Sequence, residues 1–138
     1  MSIINMQMMR YINLLDGTAH VKTHKCFLYN NMIVFAVPKK LMSKAIGPDA
    51  ANIKKIQNKV GKRVRIVAEP SGEEDAERFV KDIVSPFKFK ALEVKEGRFV
   101  LTAGGKQSKA MLMGRNKTRY EALNKILQDV FGMGLRIV

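Results

Sequence analysis

Two stretches of this sequence set a glycine just before a helix start: Ile46-Gly47-Pro48-Asp49-Ala50-Ala51-Asn52-Ile53 and Met113-Gly114-Arg115-Asn116-Lys117-Thr118-Arg119-Tyr120. The chemistry that suits them is recognition of phosphate without covalent change. A glycine lets backbone approach a phosphate with no β-carbon in the way, and the following helix presents free N–H groups and its positive dipole end. The two loops differ in charge. Asp49 puts a repelling carboxylate in the first, whereas Arg115 and Lys117 supply attraction in the second. The second loop is therefore expected to be the better clamp, with the first stretch holding a polyanion mainly through Lys44, Lys54 and Lys55.

Other candidate chemistries are weaker. His20, His24 and Cys26 lack a fourth ligand and fall on or beside an expected strand, so no metal is assigned to them, and Cys26 is read as core. Gly104-Gly105-Lys106-Gln107-Ser108 lacks the G-x-x-x-x-G-K-[ST] spacing of a nucleotide-binding loop and is read as a turn. Glu73, Glu74, Asp75 and Glu77 complement the positive end of a helix dipole. With no catalytic constellation, the chain is expected to be a non-enzyme with no cofactor, no metal and no small-molecule substrate.

The elements that must position the loops follow from periodicity. Ile4, Met8, Ile12 and Leu15 predict a helix over 3–15, stopped by Asp16-Gly17. Cys26 to Tyr29, the pair Asn30-Asn31, and Met32 to Val37 predict a hairpin closed by Pro38. A short helix over 39–46, a longer one over 50–60 and a strand over 63–67 complete the order αββααβ. After Glu69-Pro70-Ser71-Gly72 the order recurs. Ser71 and Glu74 have capping-box spacing for a helix burying Ala76, Phe79, Val80 and Ile83. Phe87, Phe89 and Ala91 alternate with Lys88 and Lys90 as a strand, Glu96-Gly97 turns, and Phe99 to Leu101 returns. Helices over 106–113 and 117–131 and a strand over 135–138 follow.

Residues repeat with the elements. Ser43-Lys44-Ala45 answers Ser108-Lys109-Ala110, Gly47 answers Gly114 at 67 positions, and Ile66-Val67 answers Ile137-Val138. A lone Gly47-Pro48 or Gly114 would be a helix stop; the same residues in the same order twice imply a duplicated unit. Two domains are expected, 1–69 and 70–138.

Composition sets the class of partner. The 138 residues carry 25 Lys+Arg against 12 Asp+Glu, a net charge of +13, which favours polyanions. Residues 1–69 hold 12 basic and 3 acidic side chains, and residues 70–138 hold 13 and 9. From Gly47 to Val67 the only carboxylate is Asp49, whereas a face built merely for solubility mixes signs. The absence of a long apolar run or an N-terminal signal pattern, with a single cysteine, leads us to expect a cytoplasmic protein and no membrane partner.

The two loops resemble the KH signature I-G-x-x-G-x-x-I, and the αββααβ order resembles the type II KH arrangement. Two such units, with the stretch Ile46-Gly47 to Asn52-Ile53-Lys54 followed by Gly61-Lys62-Arg63-Val64, resemble the short archaeal NusA-like transcription factors. The resemblance implies an α+β fold of two tandem type II KH domains, each a three-stranded sheet covered by helices. It also implies a cytoplasmic protein binding nascent single-stranded RNA and regulating transcription termination or antitermination, with RNA polymerase or other transcription factors as further partners. In a KH domain the loop clamps about four nucleotides of backbone while the bases lie in an apolar groove. The residues expected to contact RNA are Lys44, Gly47, Lys54, Lys55, Lys109, Gly114, Arg115, Asn116, Lys117 and Arg119. The fourth position of G-x-x-G is Ala50 in one loop and Lys117 in the other, so neither keeps both glycines. That departure motivates an alternative, a KH-fold module that docks on RNA polymerase or ribosomal components with little RNA binding.

Overall fold

A computed structural model describes residues 6–138; the expected helix start at Ile3 and the expected apolar position Ile4 lie outside the described residues. The described chain forms two compact units that part between Glu69 and Pro70.

In the first unit, helix α1 (Met6–Ala19) buries Tyr11, Leu15 and Ala19 at four-residue spacing. It runs through Asp16-Gly17, expected to stop it. A glycine inside a helix costs only about 1 kcal/mol, and the apolar stripe continues across it to Ala19. Strands β1 (Lys25–Tyr29) and β2 (Met32–Val37) form the antiparallel hairpin, with Tyr29 opposite Met32. Asn30 and Asn31 turn it at φ 50° and 59°, the left-handed pair that two-residue hairpins require and that asparagine tolerates. Helices α2 (Met42–Ile46) and α3 (Ala51–Val60) then cross over to β3 (Arg63–Ala68), which pairs parallel to β2 with Ile33 opposite Val64 and Phe35 opposite Ile66. Leu15, Ile33, Phe35, Val37, Ala45 and Ile56 are fully buried between helices and sheet. The Thr23 hydroxyl, also buried, donates to the Ala36 carbonyl and accepts from the Lys25 N–H, so burying it leaves no hydrogen bond unmade.

The second unit repeats the order: α4 (Ala76–Val84), β4 (Ala91–Lys95), β5 (Arg98–Thr102), α5 (Lys106–Met113), α6 (Thr118–Phe131) and β6 (Leu135–Ile137). The sheet order β4-β5-β6, with the last pair parallel, matches β1-β2-β3. Phe131 meets Phe79 and Phe99 edge-on at 6.1 and 5.3 Å within the core. Each unit is thus an α+β layer pair with a three-stranded sheet, the expected tandem KH-type fold.

Two further local expectations change. No Ser71 capping box forms: a 3₁₀ turn over Glu73–Asp75 leads into α4, and the Ser71 backbone N–H donates to Asp75 Oδ2 at 3.1 Å. Asp75 also meets Arg78 at 2.6 Å, and Asp82 meets it at 2.8 Å. The Asp75 hydrogen bond leads the contacts that raise the Arg78 pKa further, so the guanidinium stays charged. The second change is that β4 begins at Ala91 rather than Phe87. After α4 the Phe87 N–H turns back to the Val84 carbonyl at 2.9 Å, and residues 85–90 run irregularly. Apolar alternation alone does not distinguish a pleated strand from an extended loop whose rings find other partners. No helix among the described residues is long and apolar enough to cross a membrane.

Candidate nucleic-acid interface

The backbone of the two glycine loops is the same object built twice. Gly47 has φ 79°, ψ 165° and Gly114 φ 75°, ψ 171°, a combination essentially restricted to glycine. A 3₁₀ turn follows each, with Asp49 at φ 52° and Asn116 at φ 56°; Asp and Asn tolerate left-handed backbone best among residues with a β-carbon. The next residues, Ala50 and Lys117, are left-handed too, at φ 59° and 61°. These are the positions where the KH signature has its second glycine. The loop therefore keeps a glycine-like conformation with a β-carbon present, at a cost of about 1–2 kcal/mol per residue. In both loops this residue's N–H closes the turn on the glycine carbonyl at 3.2 Å.

Helices α3 and α6 start at these residues with no side-chain hydrogen bond capping either one. The 3₁₀ turns occupy the first donors, the Ala51 N–H bonding the Pro48 carbonyl and the Thr118 N–H the Arg115 carbonyl, so an anion at either loop would meet the positive dipole end of the helix.

A shared clasp fixes each loop. Asn52 Nδ2 donates to the Lys44 carbonyl at 3.0 Å, and 67 positions on Arg119 Nη1 donates to the Met111 carbonyl at 2.7 Å. Each side chain reaches from the start of one helix to the exposed carbonyl end of the preceding one. The glycine lies under the clasp: a β-carbon on Gly47 would stand 2.9 Å from Asn52 Nδ2, and one on Gly114 2.8 Å from Arg119 Cγ. A second correspondence secures the far ends of the helices. Gln57 Oε1 accepts from the Val64 N–H at 3.0 Å, and Asn124 Oδ1 from the Leu135 N–H at 2.8 Å. Helix α6 has 14 residues against 10 in α3, which moves the last strands from 67 to 71 positions apart.

Lys44 on α2, Lys54 and Lys55 on α3, Lys109 on α5, and Arg115, Asn116 and Lys117 in the second loop are all exposed. Gly47 and Gly114 are half-buried beneath the clasps, and so is Arg119. The Arg119 guanidinium, besides its bond to Met111, lies 4.4 Å from the centre of the Phe87 ring. Asp49 is exposed in the first loop; the second carries no carboxylate, the nearest in sequence being Glu121 in the first turn of α6. Tyr120 hydrogen-bonds the Leu135 carbonyl at 2.7 Å, a structural task. Beyond the loops, Lys62 Nζ bonds Asn31 Oδ1 at 3.1 Å and Arg63 reaches the Asn30 carbonyl at 3.5 Å, so part of the basic run fastens the first hairpin turn.

Among the described residues no group of His, Cys, Asp and Glu could hold a metal ion. Cys26 is buried, and burial pushes its thiol pKa from 9.0 up to about 12. The residue that sequence reasoning missed is Asn52. The repeat held the signal, because Asn52 and Arg119 occupy equivalent positions with unlike side chains.

A family model for the KH domain matches residues 32–81, a span that contains β2, the first loop, α3 and β3. The KH domain is an RNA-binding module rather than an enzyme family. No curated protein matches the chain. Among solved structures, the crystal structure of APE1850 is similar over 98% of this chain and 100% of that one, with a TM-score of 0.67 and 23% identity, a likeness of fold.

Proposed function

We propose that this chain binds single-stranded RNA through its two glycine loops, with Gly114 to Lys117 the stronger phosphate clamp. The observation that carries the reading is the doubled loop: the same glycine conformation, left-handed pair and clasp in each unit. The positive dipole ends of α3 and α6 lie at the loops and favour phosphate there. Lys109, Arg115 and Lys117 supply charge in the second unit, and Lys44, Lys54 and Lys55 do so in the first. Because phosphate is common to every sequence, such contacts position RNA without reading it. Weak sequence selectivity follows.

The finer reading is a factor acting on nascent transcripts, regulating termination or antitermination in the cytoplasm, with RNA polymerase or other transcription factors as partners. It rests on the resemblance to archaeal NusA-like factors. Purifying the native protein with its bound RNA and proteins tests it: enrichment of nascent transcripts and polymerase subunits is the expected result, and recovery of mature ribosomal RNA alone would overturn the transcriptional role. The β-carbons at Ala50 and Lys117 favour a second reading, a KH-fold docking module that takes polymerase or ribosomal protein in place of RNA. Co-purification of such proteins without RNA would support it.

A further inference from the structure

The irregular segment between α4 and β4 walls a cleft of about 490 Å³ lined by Lys81, Ser85, Pro86, Phe87, Lys88 and Phe89. Its lining is mostly apolar, two half-buried aromatic rings with exposed lysines around them, and among the described residues no carboxylate lines it. The volume suits one planar heterocycle rather than a duplex. The cleft also has a physical link to the second loop. Arg119 covers the Phe87 ring with its guanidinium, clasps the Met111 carbonyl, and packs its Cγ over Gly114. Phe87 is thus one side chain away from the proposed phosphate clamp.

We infer that this cleft is a stacking site for one unpaired nucleobase of the same RNA strand whose backbone is held at Gly114 to Lys117. The inference rests on the RNA-binding reading and adds to it a contact with a base. Phe89 offers the ring for stacking, while Arg119 holds Phe87 as a wall. Lys81 and Lys88 neutralise the phosphates on either side of the inserted base. An aromatic cleft flanked by Lys81 and Lys88, with no acidic lining among the described residues, complements a base flanked by phosphates. A π-face accepts any base, so the site adds affinity with little sequence preference.

The test is a titration of the full chain with a labelled single-stranded RNA hexamer and with an abasic hexamer of the same charge. Three proteins are compared: the parent, Phe89→Leu, which keeps apolar bulk without the π-face, and Phe89→Tyr, which keeps the ring. The parent and F89Y are expected to prefer the base-containing hexamer, and F89L to lose about five-fold or more on it. On the abasic hexamer all three should bind alike. Equal binding of parent and F89L to the base-containing hexamer would overturn the stacking site and leave the phosphate clamp standing. A loss by F89L that is equal on both hexamers would also overturn it, since no base would be involved. Failure of the parent to bind either hexamer at low salt would remove the RNA-binding reading itself, and the stacking site with it.

Discussion

Arg119 lies across Gly114: its Cγ would stand 2.8 Å from a β-carbon on that glycine, while its Nη1 holds the Met111 carbonyl at 2.7 Å. The glycine is required twice over, by its φ of 75° with ψ 171° and by the side chain above it. Gly114→Ala should therefore destabilise the protein by about 2 kcal/mol or more, combining backbone strain and displacement of the clasp. Denaturant titration checks this, and an unchanged midpoint would contradict the role given to the clasp.

The clasp can be removed from the other side. Arg119→Ala forfeits a hydrogen bond and the contact with Phe87, together about 1–2 kcal/mol. Asn52→Ala forfeits the hydrogen bond alone, about 0.5–1.5 kcal/mol. The arginine variant should show the larger loss of stability in thermal unfolding.

Ala50 and Lys117 hold left-handed backbone without being glycine. Ala50→Gly relieves strain of about 1–2 kcal/mol and gives back part of it through the entropy of a freer unfolded chain. A net gain of roughly 0.5–1 kcal/mol is expected. Because the change also opens the loop to a phosphate, RNA affinity should rise with stability. A stabilised variant with no gain in affinity would show that RNA does not approach the first loop.

The Cys26 thiol should resist alkylation in the folded protein and react once the chain is unfolded. Its pKa lies at about 12 in the fold against an ordinary 9.0, so between those values the unfolded chain has lost a proton that the folded one keeps. Fewer protons bound in the unfolded state means stability falls as pH rises. This contribution is intact below pH 9 and declines from there towards pH 12. A Cys26→Ala comparison of stability against pH isolates it.

How much of this could be read from the sequence varies with the kind of interaction. The hairpin turns at Asn30-Asn31 and Glu96-Gly97 were legible because turn chemistry is local. Gly47 and Gly114 were legible because each appears at the same place in a duplicated unit. The start of β4 was not, since Phe87 answers to Arg119, 32 residues away, rather than to a strand partner. The clasps were hidden for a similar reason: a side chain meeting a carbonyl eight residues back leaves no periodic trace, and asparagine and arginine do the same task. The left-handed state of Ala50 and Lys117 is imposed by the closed loop, against the preference of either residue.

Asp49 and Arg115 give the two loops opposite electrostatics on one backbone. Asp49→Lys should strengthen RNA binding, and the gain should shrink as salt screens it.

The central claim, that the second loop clamps phosphate, is tested most directly by titrating single-stranded RNA into the parent and an Arg115→Asp, Lys117→Asp double variant at 50 and 200 mM salt. If the protein makes roughly four phosphate contacts, parent affinity should fall about fifty-fold between the two salt concentrations. The double variant should stay folded by circular dichroism, bind far more weakly at low salt, and lose about 1.4 from the slope of log affinity against log salt for two lost contacts. A folded double variant that binds with the parent's affinity and salt slope would contradict the claim and move the phosphate contacts to Lys54, Lys55 and Lys59 of the first unit.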